Sequence, residues 1–127
     1  MKETLDQVRQ LYTDERFDDA LRLIENKSKT NDLPPNLLIL KGRLIQLSEK
    51  GGYELLDAER CFLDVLEQDH ENVTALLELG WLHVNVLNNS SQGMIYFDRA
   101  LTITKKLAKE AMEGKLKCTS KRSLGKR

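Results

Sequence analysis

The fold of this chain is decided by residues 55–106, LLDAERCFLDVLEQDHENVTALLELGWLHVNVLNNSSQGMIYFDRALTITKK. Apolar residues recur there at helical spacing and are interrupted twice by polar turns, which predicts three successive helices. Phe62 and Phe97 lie 35 residues apart in this stretch. Gly80 lies 38 residues after Gly42, which extends the repetition upstream. A helical hairpin that returns about every 34 to 38 residues is typical of an α-solenoid, so the sequence predicts an all-α superhelix of stacked antiparallel hairpins.

Upstream of this stretch, apolar residues at intervals of three and four predict three more helices. They span about residues 3–13, 17–28 and 36–48. The break at residues 14–16 is short, so the first two helices must lie antiparallel. Pro34 and Pro35 cannot continue a helix from within, but they suit the start of the third helix. Because the third helix is apolar nearly all round, we expect it to be the most buried.

Downstream, a fourth helix is predicted from about residue 55, a fifth over about 73–87 and a sixth after the turn at 88–91. Asn72 is predicted to cap the fifth helix, and a serine of the turn is predicted to cap the sixth. The sixth helix keeps its apolar period to about Lys115, and the residues after Lys117 are expected to fray. The sequence thus predicts a helical-repeat domain at 1–117 and a flexible basic tail at 118–127. Its hairpins fall at about 2–29, 36–68 and 72–115.

The net charge of zero conceals an uneven distribution. Residues 1–104 carry 11 Lys and Arg against 18 Asp and Glu, and residues 105–127 carry nine against two. A net −7 body and a net +7 C-terminal segment leave open an alternative, in which this basic segment contacts nucleic acid or an acidic membrane surface. The tail has no aromatic residue to stack on bases, and lysines also suit a helix C-terminus, which weighs against both ligands. Its candidate residues are Lys115, Lys117, Lys121, Arg122, Lys126 and Arg127.

Several classes of protein are disfavoured by what the sequence lacks. The first residues have no apolar core of a signal peptide, and no run of 18 apolar residues exists, so a cytoplasmic protein is expected. Cys61 and Cys118 belong to no CxxC or Cys/His cluster, so neither zinc nor a disulfide is indicated. No HExxH, GxSxG or phosphate-binding glycine loop is present, and His83 falls on an apolar helix face. We therefore expect no catalytic residues, no metal and no cofactor.

Two sets of residues recur along the chain. A first-helix set contains Leu76, Leu79-Gly80 and His83. One second-helix set contains Ala58, Phe62 and Val65, and the next contains Gly93, Phe97 and Ala100. The earliest copy of the repeat contains Val8 and Leu11 in its first helix and Phe17, Ala20 and Ile24 in its second. This arrangement resembles the tetratricopeptide repeat family, with His83 in place of an aromatic residue and Val65 in place of an alanine. The resemblance covers about residues 2–106 in three degenerate copies.

In that family, the first helices of successive hairpins line a concave groove that takes an extended or helical peptide. The resemblance therefore implies a groove formed by Leu5, Arg9, Tyr12, Ile39, Arg43, Gln46, Leu77, Trp81, Val84 and Asn85. Trp81, the only tryptophan, either anchors a ligand in this groove or packs beneath the next repeat. Some members clamp a chaperone's C-terminal carboxylate with a lysine and an asparagine. Leu5 and Arg9 hold those places here, so that clamp is not expected.

The function predicted from this resemblance is that of a non-catalytic module that binds a peptide or protein segment. A second possibility within the family is a bacterial secretion chaperone, which cradles an exported protein. Those chaperones usually carry an extra N-terminal dimerising helix, whereas the first helix predicted here belongs to the first repeat. Outside this class, the chain could be a nucleic-acid or membrane-surface binder that uses the basic tail, or a subunit whose exposed hairpin end stacks on another copy.

Overall fold

A computed structural model of the chain describes residues 2–27, 33–49 and 52–125. These residues form six helices and no strand, which confirms the predicted all-α class. The helices are α1 (Lys2–Thr13), α2 (Phe17–Lys27), α3 (Pro35–Leu47), α4 (Leu55–Gln68), α5 (Val73–Asn85) and α6 (Ser90–Gly125). The predicted limit of the first hairpin at residue 29 lies outside the described residues. Within the described ranges, no helix combines the length and the apolar character needed to cross a bilayer.

The helix starts follow local chemistry. Pro34, at φ −65°, precedes α3, and Pro35 is its first residue, where a missing N–H costs nothing. Asn72 caps α5 as predicted, because its side-chain oxygen accepts a hydrogen bond of 2.9 Å from the amide three residues on. The prediction of a serine cap for α6 is wrong. The Asn89 oxygen accepts from the amide three residues later at 3.2 Å, so asparagine takes this role.

The last helix is longer than the sequence predicted. It continues to Gly125, beyond the end that the sequence predicts at about Lys115. Residues 105–117, which lead into residues 118–125, are mostly Lys, Glu, Ala and Leu, whose good intrinsic helix propensity needs no apolar stripe. Glu113 and Lys117 also have the spacing of a stabilising charge pair. The Thr119 hydroxyl donates to the Lys115 carbonyl at 3.1 Å, one turn back.

Each helix packs chiefly on its neighbours in sequence, and α1 also contacts α3. Two close crossings recur. A Cβ atom at Gly42 of α3 would lie 2.5 Å from the ring of Phe62 in α4. A Cβ atom at Gly80 of α5 would lie 2.7 Å from the ring of Phe97 in α6. Glycine therefore permits both close approaches, and the second and third hairpins cross at equivalent glycine–phenylalanine pairs.

Polar contacts join the first hairpin to the second. The Ser48 hydroxyl, at the end of α3, donates to the Asp18 carboxylate in α2. Tyr53, before α4, hydrogen-bonds the Glu25 carboxylate, and burial together with this bond raises the pKa of Tyr53 to about 12. The Lys41 ammonium lies 5.5 Å from the centre of the Tyr53 ring. These contacts fix the angle at which α2 meets the second hairpin.

Candidate functional site

One cleft of about 290 Å³ draws its lining from the first helix of all three hairpins. Its residues are Tyr12 from α1, Arg43, Gln46 and Leu47 from α3, and Glu78 from α5. The sequence predicted three of them, Tyr12, Arg43 and Gln46, as groove residues. Their convergence follows from the stacking, which places α1, α3 and α5 on the same side of their hairpins.

An ion pair crosses the cleft. Arg43 Nε donates to Glu78 Oε1, which ties α3 to α5. Both side chains are only partly exposed, so the pair is better shielded from solvent than the surface pairs of this protein. The other guanidinium N–H groups of Arg43 remain available as donors, because a guanidinium carries five.

Tyr12 and Gln46 complete the polar lining. The Tyr12 ring meets the Phe17 ring edge to face, with centroids 5.6 Å apart, and this contact holds Tyr12 at the mouth of the cleft. Gln46 donates its amide to the Gly42 carbonyl at 3.3 Å, so its own carbonyl oxygen is left to accept. The cleft therefore presents guanidinium donors, an amide acceptor and a phenol above the apolar Leu47 side chain.

Trp81 lies one turn beyond Glu78 on α5 and is 56% exposed. Its ring meets the Phe97 ring edge to face, with centroids 5.1 Å apart. Trp81 is therefore not buried beneath another repeat among the described residues, which was one of its two predicted placements. Trp81 is not among the residues that line the central cleft, and its ring packs on α6 beside it.

Other predicted groove residues lie elsewhere. Ile39 is buried in the core, so its assignment to the groove is wrong. The reason is that α3 contacts α1 as well as α2 and α4, which covers this side chain. Val84 is half-buried, and its methyl group would lie 2.6 Å from a Cβ at Gly93, so it belongs to the α5–α6 crossing. Val84 is not among the residues that line the central cleft.

Four predicted groove residues do not line the central cleft. Leu5 lines a separate pocket of about 280 Å³ with Lys2, Pro34 and Asn36. Leu77 lines a third cavity, against α6. Arg9 and Asn85 are exposed side chains. The predicted groove is thus divided into a central cleft and two flanking pockets.

Two lining residues, Leu47 and Glu78, are not among the groove residues that the sequence predicts. The nearly all-round apolar character of α3 favours burial of Leu47, yet this side chain is 42% exposed. Glu78 is acidic, and no role is predicted for it from the sequence. Its charge is opposite to that of Arg43, which lies 35 residues earlier and so close to one repeat length away. That spacing is the signal that could have identified the pair.

His83 is buried, as its apolar face predicted. Its Nε2 atom lies 2.7 Å from Glu59 Oε2, which is close enough for an ion pair but not aligned as a hydrogen bond. The ring also lies 5.5 Å from the Tyr96 ring. His83 therefore joins α5 to α4 and α6 inside the stack and does not face the cleft.

The candidate residues of the basic tail are helical as far as they are described. Lys115, Lys117 and Lys121 are exposed along α6. The side chain of Arg122 lies outside the described part of the chain, as do residues Lys126 and Arg127. Earlier in α6, Lys106 Nζ lies 3.9 Å from Glu71 Oε2, and both side chains are exposed.

Comparison with known proteins adds nothing to this geometry. No family model, no curated protein and no solved structure matches the chain. Among residues 2–27, 33–49 and 52–125, no three His, Cys, Asp or Glu side chains come together in a way that would hold a metal ion. The residues of the cleft are therefore the basis on which a function can be proposed.

The two free cysteines should differ sharply in reactivity. Cys61 is buried in α4, and burial raises the pKa of its thiol to about 11, whereas Cys118 is exposed on α6. Because the thiolate is the reactive form, Cys118 should react with a thiol reagent at pH 8 at least about 100-fold faster than Cys61. Titration with and without denaturant measures this difference. Two fast thiols in the native protein would contradict the packing of α4.

Proposed function

We propose that this chain is a non-catalytic protein-interaction module of the tetratricopeptide-repeat type. Its three hairpins stack into a short right-handed superhelix in the cytoplasm, and the inner face of the first helices holds a segment of another protein. The single observation that carries this proposal is the cleft in which α1, α3 and α5 side chains converge. The recurrence of the glycine–phenylalanine crossing supports the interpretation as a repeat.

The chemistry of the cleft suits a peptide backbone. An extended segment presents carbonyl acceptors and N–H donors in alternation. The free guanidinium donors of Arg43 fit the carbonyl groups, and the Gln46 side-chain carbonyl fits an N–H group. Leu47 and Trp81 offer apolar surface for side chains of the segment. Tryptophan and arginine together are typical anchors of protein interfaces.

The lining also favours binding over catalysis. Its ionisable groups are Tyr12, Arg43 and Glu78, and the last two neutralise each other in an ion pair. A general acid or base needs a titratable group that is free to exchange its proton with substrate. His83 and Cys61 are buried, Cys118 is exposed on α6, and none of these three side chains lines the cleft.

Affinity capture from an extract of the source organism tests the proposal. The wild-type chain should retain a specific partner, and the Trp81→Ala and Arg43→Ala variants should lose at least about 90% of it, because truncating an interface anchor costs about 2 kcal/mol or more. Arg60→Ala, on the exposed side of α4, is the matched control and should retain the partner. Circular dichroism should show equal helix content in all four proteins. Equal capture by all four would contradict the assignment of the groove.

A further inference from the structure

Among the described residues, no helix covers the outer side of the third hairpin as α5 covers that of the second. Leu66 of α4 is 7% exposed, but Leu101, its counterpart 35 residues later in α6, is 52% exposed. Phe62 is fully buried, whereas its counterpart Phe97 is only partly buried. The first helix of the third hairpin, α5, packs on α4 of the second hairpin. The position equivalent to α5, against α6, is left as an apolar groove.

This α5/α6 groove has a volume of about 290 Å³ and is almost entirely apolar. It is lined by Val73, Leu77, Phe97, Ala100, Leu101 and Thr104. Its place in the stack defines what would fill it. The occupant is a helix antiparallel to α6, as α5 is antiparallel to α4.

The chain carries a helix of suitable length and polarity. We call residues 105–121 the α6 extension. At 1.5 Å per residue it is about 26 Å long, which exceeds the roughly 20 Å of α5. One stripe of it bears Leu107, Ala108, Ala111 and Met112, which span about 140° of the helix, while most of its lysines lie on the other side. The large members, Leu107 and Met112, are exposed.

The charges of the two elements are complementary. Residues 1–51 carry nine acidic and nine basic side chains and are neutral. Residues 52–104, which form α4, α5 and the start of α6, carry nine acidic against two basic side chains, a net −7. Residues 105–127 carry a net +7. The acidic surplus therefore lies in the elements that border the groove, and the basic surplus lies in and after the extension.

A chain cannot bring its own extension to its own groove, because both belong to the continuous helix α6. A second copy removes this restriction. When two α6 helices lie antiparallel about a two-fold axis, each extension has the direction needed to cover the partner's groove. Such an isologous contact is made twice, so each groove is covered. The basic extension of each copy then lies against the acidic elements of the other.

We propose that the chain forms a symmetric dimer in which the α6 extension of each copy lies in the α5/α6 groove of the other. The interface is distinct from the central cleft, since Arg43 and Gln46 lie on α3. The inference therefore does not rest on the proposed peptide-binding function, and each can fail without the other.

The test is sedimentation analysis of the full chain and of two variants. Leu101→Asp places a charge in the groove, and Met112→Asp places one on the apolar stripe of the extension. Both side chains are exposed in the single chain, so the fold should be kept. The wild type should be a dimer, and each variant alone should raise the dissociation constant at least about 100-fold. Leu56→Asp, on an exposed residue of α4 that belongs to neither the groove nor the extension, is the control and should leave the dimer intact.

Mixing the two variants gives the decisive measurement. A mixed dimer retains one intact contact, between the groove of the Met112→Asp chain and the extension of the Leu101→Asp chain. Association should therefore recover in the mixture, to at least about tenfold above either variant alone. Recovery in the mixture supports the reciprocal arrangement.

Three results would overturn it. The first is a wild type that stays monomeric at about 100 μM. The second is a dimer that neither variant weakens. The third is loss of the dimer in both variants without recovery on mixing, which would mean that the groove of one copy does not contact the extension of the other. If a monomeric wild type instead binds a DNA duplex and releases it with salt, the extension belongs to a nucleic-acid contact.

Discussion

Replacing Phe62 by alanine is expected to lower the free energy of unfolding by about 3–5 kcal/mol. Phe62 is fully buried and fills the space above Gly42, where α3 and α4 meet most closely. Its removal leaves a cavity that the two helices cannot close. A domain of this size has a total stability of about 5–15 kcal/mol, so the loss is a large part of it.

Adding a methyl group on the other side of this contact should also destabilise the protein. The Cβ of Gly42→Ala would lie 2.5 Å from the buried Phe62 ring. Such overpacking costs about 1–3 kcal/mol, which outweighs the roughly 1 kcal/mol that alanine gains over glycine in a helix. In the Phe62→Ala background the same change should be neutral or stabilising by up to about 1 kcal/mol, because the methyl group then fills empty space.

Urea denaturation of the wild type, the two single variants and the double variant measures the coupling between the two positions. A coupling energy of about 2 kcal/mol is expected. Gly80→Ala is the matched comparison, since its contact residue Phe97 is only partly buried and its ring can turn towards solvent. That variant should lose less stability than Gly42→Ala. A stabilising Gly42→Ala in the wild-type background would show that α3 and α4 do not cross as described.

Reversing the charge of Arg43 to glutamate should destabilise the protein by about 1–2 kcal/mol, between the values for exposed and for buried ion pairs. The change places two carboxylates together where Arg43 now donates to Glu78. The doubly reversed variant, Arg43→Glu with Glu78→Arg, should recover most of this loss because the pair is restored. Thermal unfolding at low ionic strength gives the comparison.

The same variants separate a structural role of the pair from a binding role. If a partner segment contacts Arg43 directly, the doubly reversed variant regains stability but not partner capture, because its charges are exchanged between α3 and α5. The control is the exposed pair Arg60 and Asp64 of α4, 3.4 Å apart. Reversing both charges there should change neither stability nor capture. Capture that returns together with stability would mean that the ion pair only holds the helices.

The repetition of residue types predicts most of the fold. Glycine and phenylalanine recur at near-constant offsets, and in the structure these residues lie at the helix crossings, since only a missing side chain permits that approach. The start of α3 at Pro35 and the cap at Asn72 follow from backbone chemistry that acts within a few residues. Local rules of this kind do not depend on how the helices pack.

The errors arise where the environment of a residue depends on several helices at once. Periodicity shows which residues share a face but not how many neighbours cover that face. Ile39 shares a stripe with the cleft residues Arg43 and Gln46, yet neighbouring helices bury it, and Val84 is half-buried against α6. Leu47, in contrast, is the last residue of α3, and its side chain is partly exposed because the neighbouring helices do not cover it fully. The extra length of α6 is not predictable from its apolar period, because a helix can continue beyond its apolar stripe.

Site-specific photocrosslinking tests the central claim most directly. A photoreactive residue placed at Tyr12 or Gln46 lies in the central cleft, and one placed at Arg60 lies on the exposed side of α4. Irradiation in the presence of the captured partner should join the partner to the first two positions and not to the third. Adducts formed at Arg60, with none at Tyr12 or Gln46, would show that the partner binds outside the cleft.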